Sequence, residues 1–136
     1  MTSINDANTE ELIERIAEDL REKIAMPQWA LHVKTGVSRE RQPERNDWWY
    51  IRAASVLMKI YKRNNVGVQR LRSYYGGLHR TGHKPAHFAR GSGKIIRVVM
   101  QDLEKSGLVK KEKKGRVITP AGVKFLNASA KKIKAA

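Results

Sequence analysis

One stretch near the C-terminus, DLEKSGLVKKEKKGRVITPAGVKFL (residues 102–126), restricts the fold more than any other. Gly107 stops a run of helical spacing, because glycine tolerates the left-handed backbone that a helix end uses. Two short β-prone runs, 108–110 and 116–119, are joined by a basic turn. Thr119-Pro120 then opens another helix, with threonine as cap and proline at the first helical position, where its missing N–H costs nothing. Val123, Phe125 and Leu126 follow as that helix's apolar residues. Helix, basic hairpin and helix in so short a span form the C-terminal part of a winged helix.

The upstream pattern supplies the rest of such a domain. Asn8 with an acid at Glu11 is a helix-start pattern, and Leu12, Ile13, Ile16, Ala17, Leu20 and Ile24 recur at helical spacing. An N-terminal helix is therefore expected within 1–26, ending before Pro27, with its acids turned to solvent. Periodicity then breaks. Trp29, Leu31 and Val33 are expected to anchor the next segment to the core, while Gly36, Pro43 and SRERQPERND read as loop. In that loop Arg39, Arg41 and Arg45 alternate with Glu40 and Glu44, which leaves phosphate contact and plain solvation equally open.

Asp47 is expected to cap a helix over 48–63 that buries Trp48, Ile51, Leu57, Ile60 and Tyr61, with Trp49 and Tyr50 also assigned to the core. Arg52, Lys59, Lys62 and Arg63 leave that helix on its other sides. Asn64-Asn65 makes a turn, and a short helix over 68–75 ends at Gly76-Gly77. A third helix, 92–105, turns Ile95, Ile96, Val99 and Leu103 inward and leaves Lys94, Arg97 and Gln101 outward. The expected fold is mainly α: a winged-helix-like helical domain with a short β-hairpin wing and an extra N-terminal helix. It is one domain over 1–136, with the N-terminal helix in 1–26, the winged-helix core in 48–128 and a frayed basic tail in 129–136.

Charge narrows the function. With 28 Lys and Arg against 13 Asp and Glu, the chain carries +15, far beyond what solubility needs. The expected partner is a polyanion, nucleic acid ahead of an anionic membrane surface. No apolar run approaches the roughly 18 residues of a spanning helix, so a soluble protein without a membrane partner is expected. The absence of cysteine excludes disulfides, thiolate zinc sites and cysteine nucleophiles. Acids gather in residues 1–25, whereas between Asp47 and Asp102 there is none, against eleven Lys and Arg. A merely solvated face mixes signs, so an acid-free run of that length points to a polyanion.

Within that run GGLHRTGHKPAHFARGSGK (76–94) resembles several motifs at once. His79, His83 and His87 are four apart, but Gly82 and Pro85 interrupt the helix that would align them, and no carboxylate or thiolate stands near to complete a metal sphere. A phosphate loop would need glycine where Phe88 stands and serine or threonine where Ile95 stands. The dinucleotide pattern fails at Ile96. No carboxylate is available to orient a catalytic histidine, so neither catalysis nor a cofactor is expected. Nucleic acid fits the composition. Arg80, Lys84, Arg90 and Lys94 can neutralise phosphates, glycines let the backbone approach them, and histidine can stack on unpaired bases. Phe88 is read as plugging the loop into the core in preference to stacking on a base. Helix-turn-helix readers of DNA join their two key helices by a turn of about 3 to 4 residues. Here fourteen residues, 77–90, intervene. A DNA-binding transcription regulator using 92–106 as its recognition helix is accordingly the alternative to an RNA-bound structural protein.

The segments DWWYIRAASVLMKIY, VGVQRLRSYYGG, KPAHFARGSGKIIR, LEKSGLVKK and GRVITPAG together resemble the small-subunit ribosomal protein family written S-nineteen-e, over essentially the whole chain. PERNDWWYIR and GHKPAHFARGSGK are closer to its archaeal members. The resemblance implies a cytoplasmic, winged-helix-like protein in the head of the small ribosomal subunit. It would be bound to ribosomal RNA, beside neighbouring head proteins, monomeric outside the ribosome and involved in subunit maturation. It places the family's basic surface on Arg52, Arg72 and the region from Arg80 to Arg97. Leu78 and Met58 stand where basic residues are expected and are not counted as contacts. The candidate RNA-binding set is Arg52, Lys59, Arg63, Arg72, Arg80, His83, Lys84, His87, Arg90, Lys94 and Arg97.

Overall fold

Helix α1 (Thr9–Leu20) begins where the Asn8 side chain accepts the Glu10 N–H at 3.0 Å. The computed structural model describes residues 8–135, with side chains as far as Ile133, so the first seven residues of the expected 1–26 segment lie outside it. Leu12, Ile16, Ala17 and Leu20 bury one stripe of α1, and after a closing turn Ile24 buries one more side chain beyond it. Residues Gln28–Leu31 form a single 3-10 turn. Ala30 is buried there and Trp29 and Val33 pack at the core's edge, but Leu31, expected as an anchor, is exposed. The tight three-residue period of this turn points Leu31 away once its two predecessors face inward.

Helix α2 (Trp48–Arg63) is the core's centre, with Trp49, Ala53, Val56, Leu57 and Ile60 fully buried. Trp49 meets Trp29 and Trp48 edge-on at 5.5 and 5.6 Å, an arrangement that aligns ring edges with ring faces. Asp47 precedes α2 but does not cap it, because its carboxylate is taken by Arg45 and Arg21. The helix ends at Asn64, whose φ of 66° confirms the asparagine turn. Helix α3 (Val68–Tyr74) follows.

The segment expected as a basic loop closes at its base into a short ribbon. Strands β1 (Gly77–His79) and β2 (His87–Ala89) pair antiparallel, with Leu78 opposite Phe88 and His79 opposite His87. Long-range backbone contacts at its base hold it: the Gly91 N–H donates to Arg72 O at 2.9 Å and the Ser92 N–H to Thr35 O at 3.0 Å. Helix α4 (Gly93–Lys105) starts with Ser92 Oγ accepting the Ile95 N–H. The wing is β3 (Val109–Glu112) against β4 (Gly115–Ile118). Val66, in the connection from α2 to α3, exchanges both backbone hydrogen bonds with Arg116 and so adds an edge to the wing.

Helix α5 (Pro120–Ala135) opens as expected, with Thr119 Oγ1 accepting the Gly122 N–H at 3.1 Å. Gly122 has a separate reason to lack a side chain: a Cβ would collide with the Leu108 carbonyl oxygen. The basic tail expected at 129–136 is instead helical through Ala135. Ser129 and Ala130 are buried, and Ser129 Oγ and Lys132 Nζ both reach Asp19 of α1, at 2.7 and 3.2 Å. Helix α1 thus packs between α2 and α5, while α2, α3 and β3 pack on α4. The architecture is mainly helical and winged-helix-like.

Candidate nucleic-acid interface

The fold separates the charges. The ion pairs among the described residues all lie on α1, its Arg45–Asp47 neighbour, the end of α5, or the wing, as in Arg116 with Glu104 at 2.7 Å. Arg45 bridges Glu14 at 2.7 Å and Asp47 at 3.1 Å. Its guanidinium holds both carboxyls below their ordinary range, and they in turn raise its own pKa. Arg45, although exposed, is therefore committed to pairs within the protein. By contrast, none of Arg52, Lys59, Arg63, Arg72, Arg80, Lys84, Arg90, Lys94 and Arg97 forms an ion pair among the described residues. The exposed cations of the acid-free run thus stand without carboxylate partners among the described residues.

Several of them lie on the ribbon. Arg80, His83, Lys84 and His87 are all exposed on the ribbon or its tip. Arg90, at its base, is exposed and donates to Gln69 Oε1 at 2.8 Å. Strand alternation turns Gly77 toward Ser38 and Arg39, which sends Leu78 and Phe88 to the opposite face. Phe88 is accordingly 59% exposed, and the expectation that it plugs the loop into the core is overturned. Gly76 makes the close approach possible: a Cβ there would collide with the Ala89 carbonyl oxygen and crowd the Phe88 ring. His79 and His87 face each other across strands rather than along a helix. Among the described residues no group of three or more potential ligands could hold a metal.

The remaining candidates divide by what already occupies them. Lys94 and Arg97 are exposed on the first turns of α4, with the Lys94 ammonium 4.9 Å from the Trp29 ring, and Arg63 is exposed at the end of α2. Arg52 and Lys59 instead lie over Tyr75 and Tyr74, at 4.1 and 3.9 Å from the ring centres. Burial pushes the Arg52 pKa down and the Tyr75 pKa up, and the Tyr75 hydroxyl is tied to Ser55 Oγ at 2.5 Å. Arg72 donates from Nε to Gly91 O at 3.0 Å and fixes the base of the ribbon. Arg52 and Lys59 are thus engaged with tyrosine rings, and Arg72 with a backbone carbonyl.

Two cations outside the candidate set join it. Arg70 of α3 and Lys114 of the wing turn line, with Arg90, a cleft of about 780 Å³ between α3 and the wing. Arg70 belongs to the acid-free run and Lys114 to the basic wing, but 44 positions of sequence separate them. The Val66–Arg116 bridge, which lays the wing beside the connection into α3, brings them to one cleft.

The sequence pattern of the family described as ribosomal protein S19e matches residues 3–136. The small ribosomal subunit protein eS19 of Thermoplasma acidophilum is 42% identical over 135 residues, covering 98% of this chain and 90% of that one. The protein of the same name from Aeropyrum pernix is 43% identical over 127 residues, with 90% and 83% covered. The small ribosomal subunit protein eS19G of Ascaris suum is 39% identical over 137 residues, with 98% and 93% covered.

Proposed function

The chain belongs to the ribosomal protein S19e family, and from that premise we propose that its ribbon, α3 and α4 grip folded ribosomal RNA of the small subunit through phosphate contacts. It is a structural constituent of the small ribosomal subunit, hence of the cytoplasmic ribosome, and not an enzyme. The observation that carries the RNA reading is the positive face without carboxylate partners. A surface of this kind is self-repelling until a polyanion neutralises it.

The hands of the grip are Arg63, Arg80, Lys84, Arg90, Lys94 and Arg97, with His83 and His87 beside them and Arg70 and Lys114 across the cleft. Arg52, Lys59 and Arg72 position the face through Tyr75, Tyr74 and Gly91. Eighteen residues separate α3 from α4, so the ribbon stands where a DNA reader has a tight turn, which favours RNA shape over a duplex sequence. The internally paired α1 side faces away from RNA, toward solvent or neighbouring proteins of the subunit head. By holding RNA segments in their folded arrangement the protein contributes to subunit maturation, entering as a monomer.

Sedimentation tests this. The protein is expected to travel with small subunits through a gradient and to leave them at high salt, as phosphate contacts do. Remaining at the top of the gradient at low salt, or binding one DNA duplex more tightly than small-subunit RNA, would overturn the proposal.

A further inference from the structure

Phosphate contacts leave one feature of the ribbon unused. Leu78 and Phe88, opposite each other across the strands, are 69% and 59% exposed, the two most exposed large apolar side chains among the described residues. An apolar rung held out in water is unfavourable, and an aromatic ring presented in this way is a surface on which a partner can stack. The charges around it specify the cover. Arg80 and Arg90 each stand two residues beyond the rung, one toward the tip and one toward the base. At about 3.3 Å per residue, each lies on the order of 7 Å from it. No acidic residue occurs in 76–94, and in the cleft beside Leu78 and Arg80 the single acid, Glu40, is outnumbered by Lys34, Arg39 and Arg80.

The partner must therefore present a flat apolar surface about one ring across, with negative charge on either side. An apolar segment of another protein supplies the surface, but negative charge on both sides only where acidic residues flank it. A nucleotide strand supplies both, since an unstacked base is joined to a phosphate at each end. We propose that the Leu78–Phe88 rung is a stacking site for one unpaired nucleobase of RNA, whose flanking phosphates meet Arg80 and Arg90. The Phe88 ring lies against the backbone at Gly76, where the missing Cβ lets it rest. That contact restricts the ring on one side, which lowers the side-chain freedom lost on stacking. The site adds to the phosphate grip a preference for unpaired over paired RNA, and it rests on the RNA-binding reading above.

The test uses the full chain with two probes: a single-stranded RNA heptamer carrying a central 2-aminopurine, and a fully paired RNA hairpin. Wild-type protein is expected to alter the 2-aminopurine fluorescence as the base stacks. Base–aromatic stacking changes affinity by roughly one to two orders of magnitude on alanine substitution. Phe88→Ala should accordingly weaken heptamer binding about tenfold, while leaving hairpin binding, the salt slope and the melting temperature near wild type. Phe88→Trp should retain heptamer binding and Phe88→Leu should not. Equal heptamer affinities for wild type and Phe88→Ala would overturn the inference. Full restoration by Phe88→Leu would overturn it too, because a leucine covers an apolar protein segment but does not stack. In both cases a salt-dependent wild type would leave the phosphate grip standing, whereas binding by wild type without salt dependence would remove the RNA reading itself.

Discussion

Neutralising the ribbon should change how binding responds to salt, and the structure sets the size of the change. In the variant Arg80→Gln, Lys84→Gln, Arg90→Gln, three exposed cations are removed, and among the described residues the only hydrogen bond lost is that from Arg90 to Gln69. Stability should therefore stay within about 0.5 kcal/mol of wild type. Each phosphate contact contributes roughly 0.7 to 0.9 to the slope of log affinity against log salt, so three contacts contribute about 2 to 2.7. Raising salt from about 50 to 200 mM should then cost wild type some 20- to 40-fold more affinity than it costs the variant. Fluorescence anisotropy on small-subunit ribosomal RNA across that range reads this directly. The control is Arg15→Gln, Arg21→Gln, Lys132→Gln, which removes the same net charge from residues already paired with Glu18, Asp19 and Asp47. If the control flattens the slope as much as the ribbon variant does, net charge rather than a located face drives binding. If neither changes it, the ribbon is not the contact.

Other perturbations probe the scaffold. Trp49→Ala removes a fully buried ring that touches two other tryptophans and should cost about 3 to 5 kcal/mol in chemical denaturation. Gly76→Ala should displace the ribbon, seen as loss of hydrogen-exchange protection at β1 and β2 with α2 and α4 unchanged, because a Cβ collides with the Ala89 carbonyl oxygen. Arg45 depresses the pKa of Glu14 and Asp47, so its contribution is fully present above the unfolded-chain values near about pH 4 and is lost as pH falls through the depressed ones. Arg45→Met should consequently melt below wild type at neutral pH, with the two melting temperatures converging in acid.

What could be read from the sequence was what neighbouring residues decide. The α4 start at Ser92, the asparagine turn at Asn64 and the Thr119-Pro120 opening of α5 depend on side chains bonding or bending the chain within a few residues, and each occurs where its residues predict. The ribbon was not legible, because its pairing is fixed by Thr35, Arg72 and Gly91, which lie outside it. The same reason hid Phe88, since its exposure follows from which strand face meets Ser38 and Arg39. Asp47 looked like a cap until Arg21 and Arg45 took its oxygens, and the tail from 129 looked frayed although Asp19, 110 positions from Ser129, holds Ser129 and Lys132. For the candidate interface, the charge run disclosed where cations lack acidic neighbours in sequence. It did not disclose which arginines are free and which, like Arg52 and Arg72, are spent on a ring or a carbonyl.

The absence of cysteine makes a direct test of the orientation simple. Thr81, at the ribbon tip, and Glu11, on α1, are both exposed, so Thr81→Cys and Glu11→Cys each give a single attachment point for a tethered iron chelate. Bound to small-subunit RNA, the Thr81→Cys protein should cleave RNA strongly around its site and the Glu11→Cys protein should not. Strong cleavage from Glu11→Cys with none from Thr81→Cys would contradict the positive face as the surface that meets RNA.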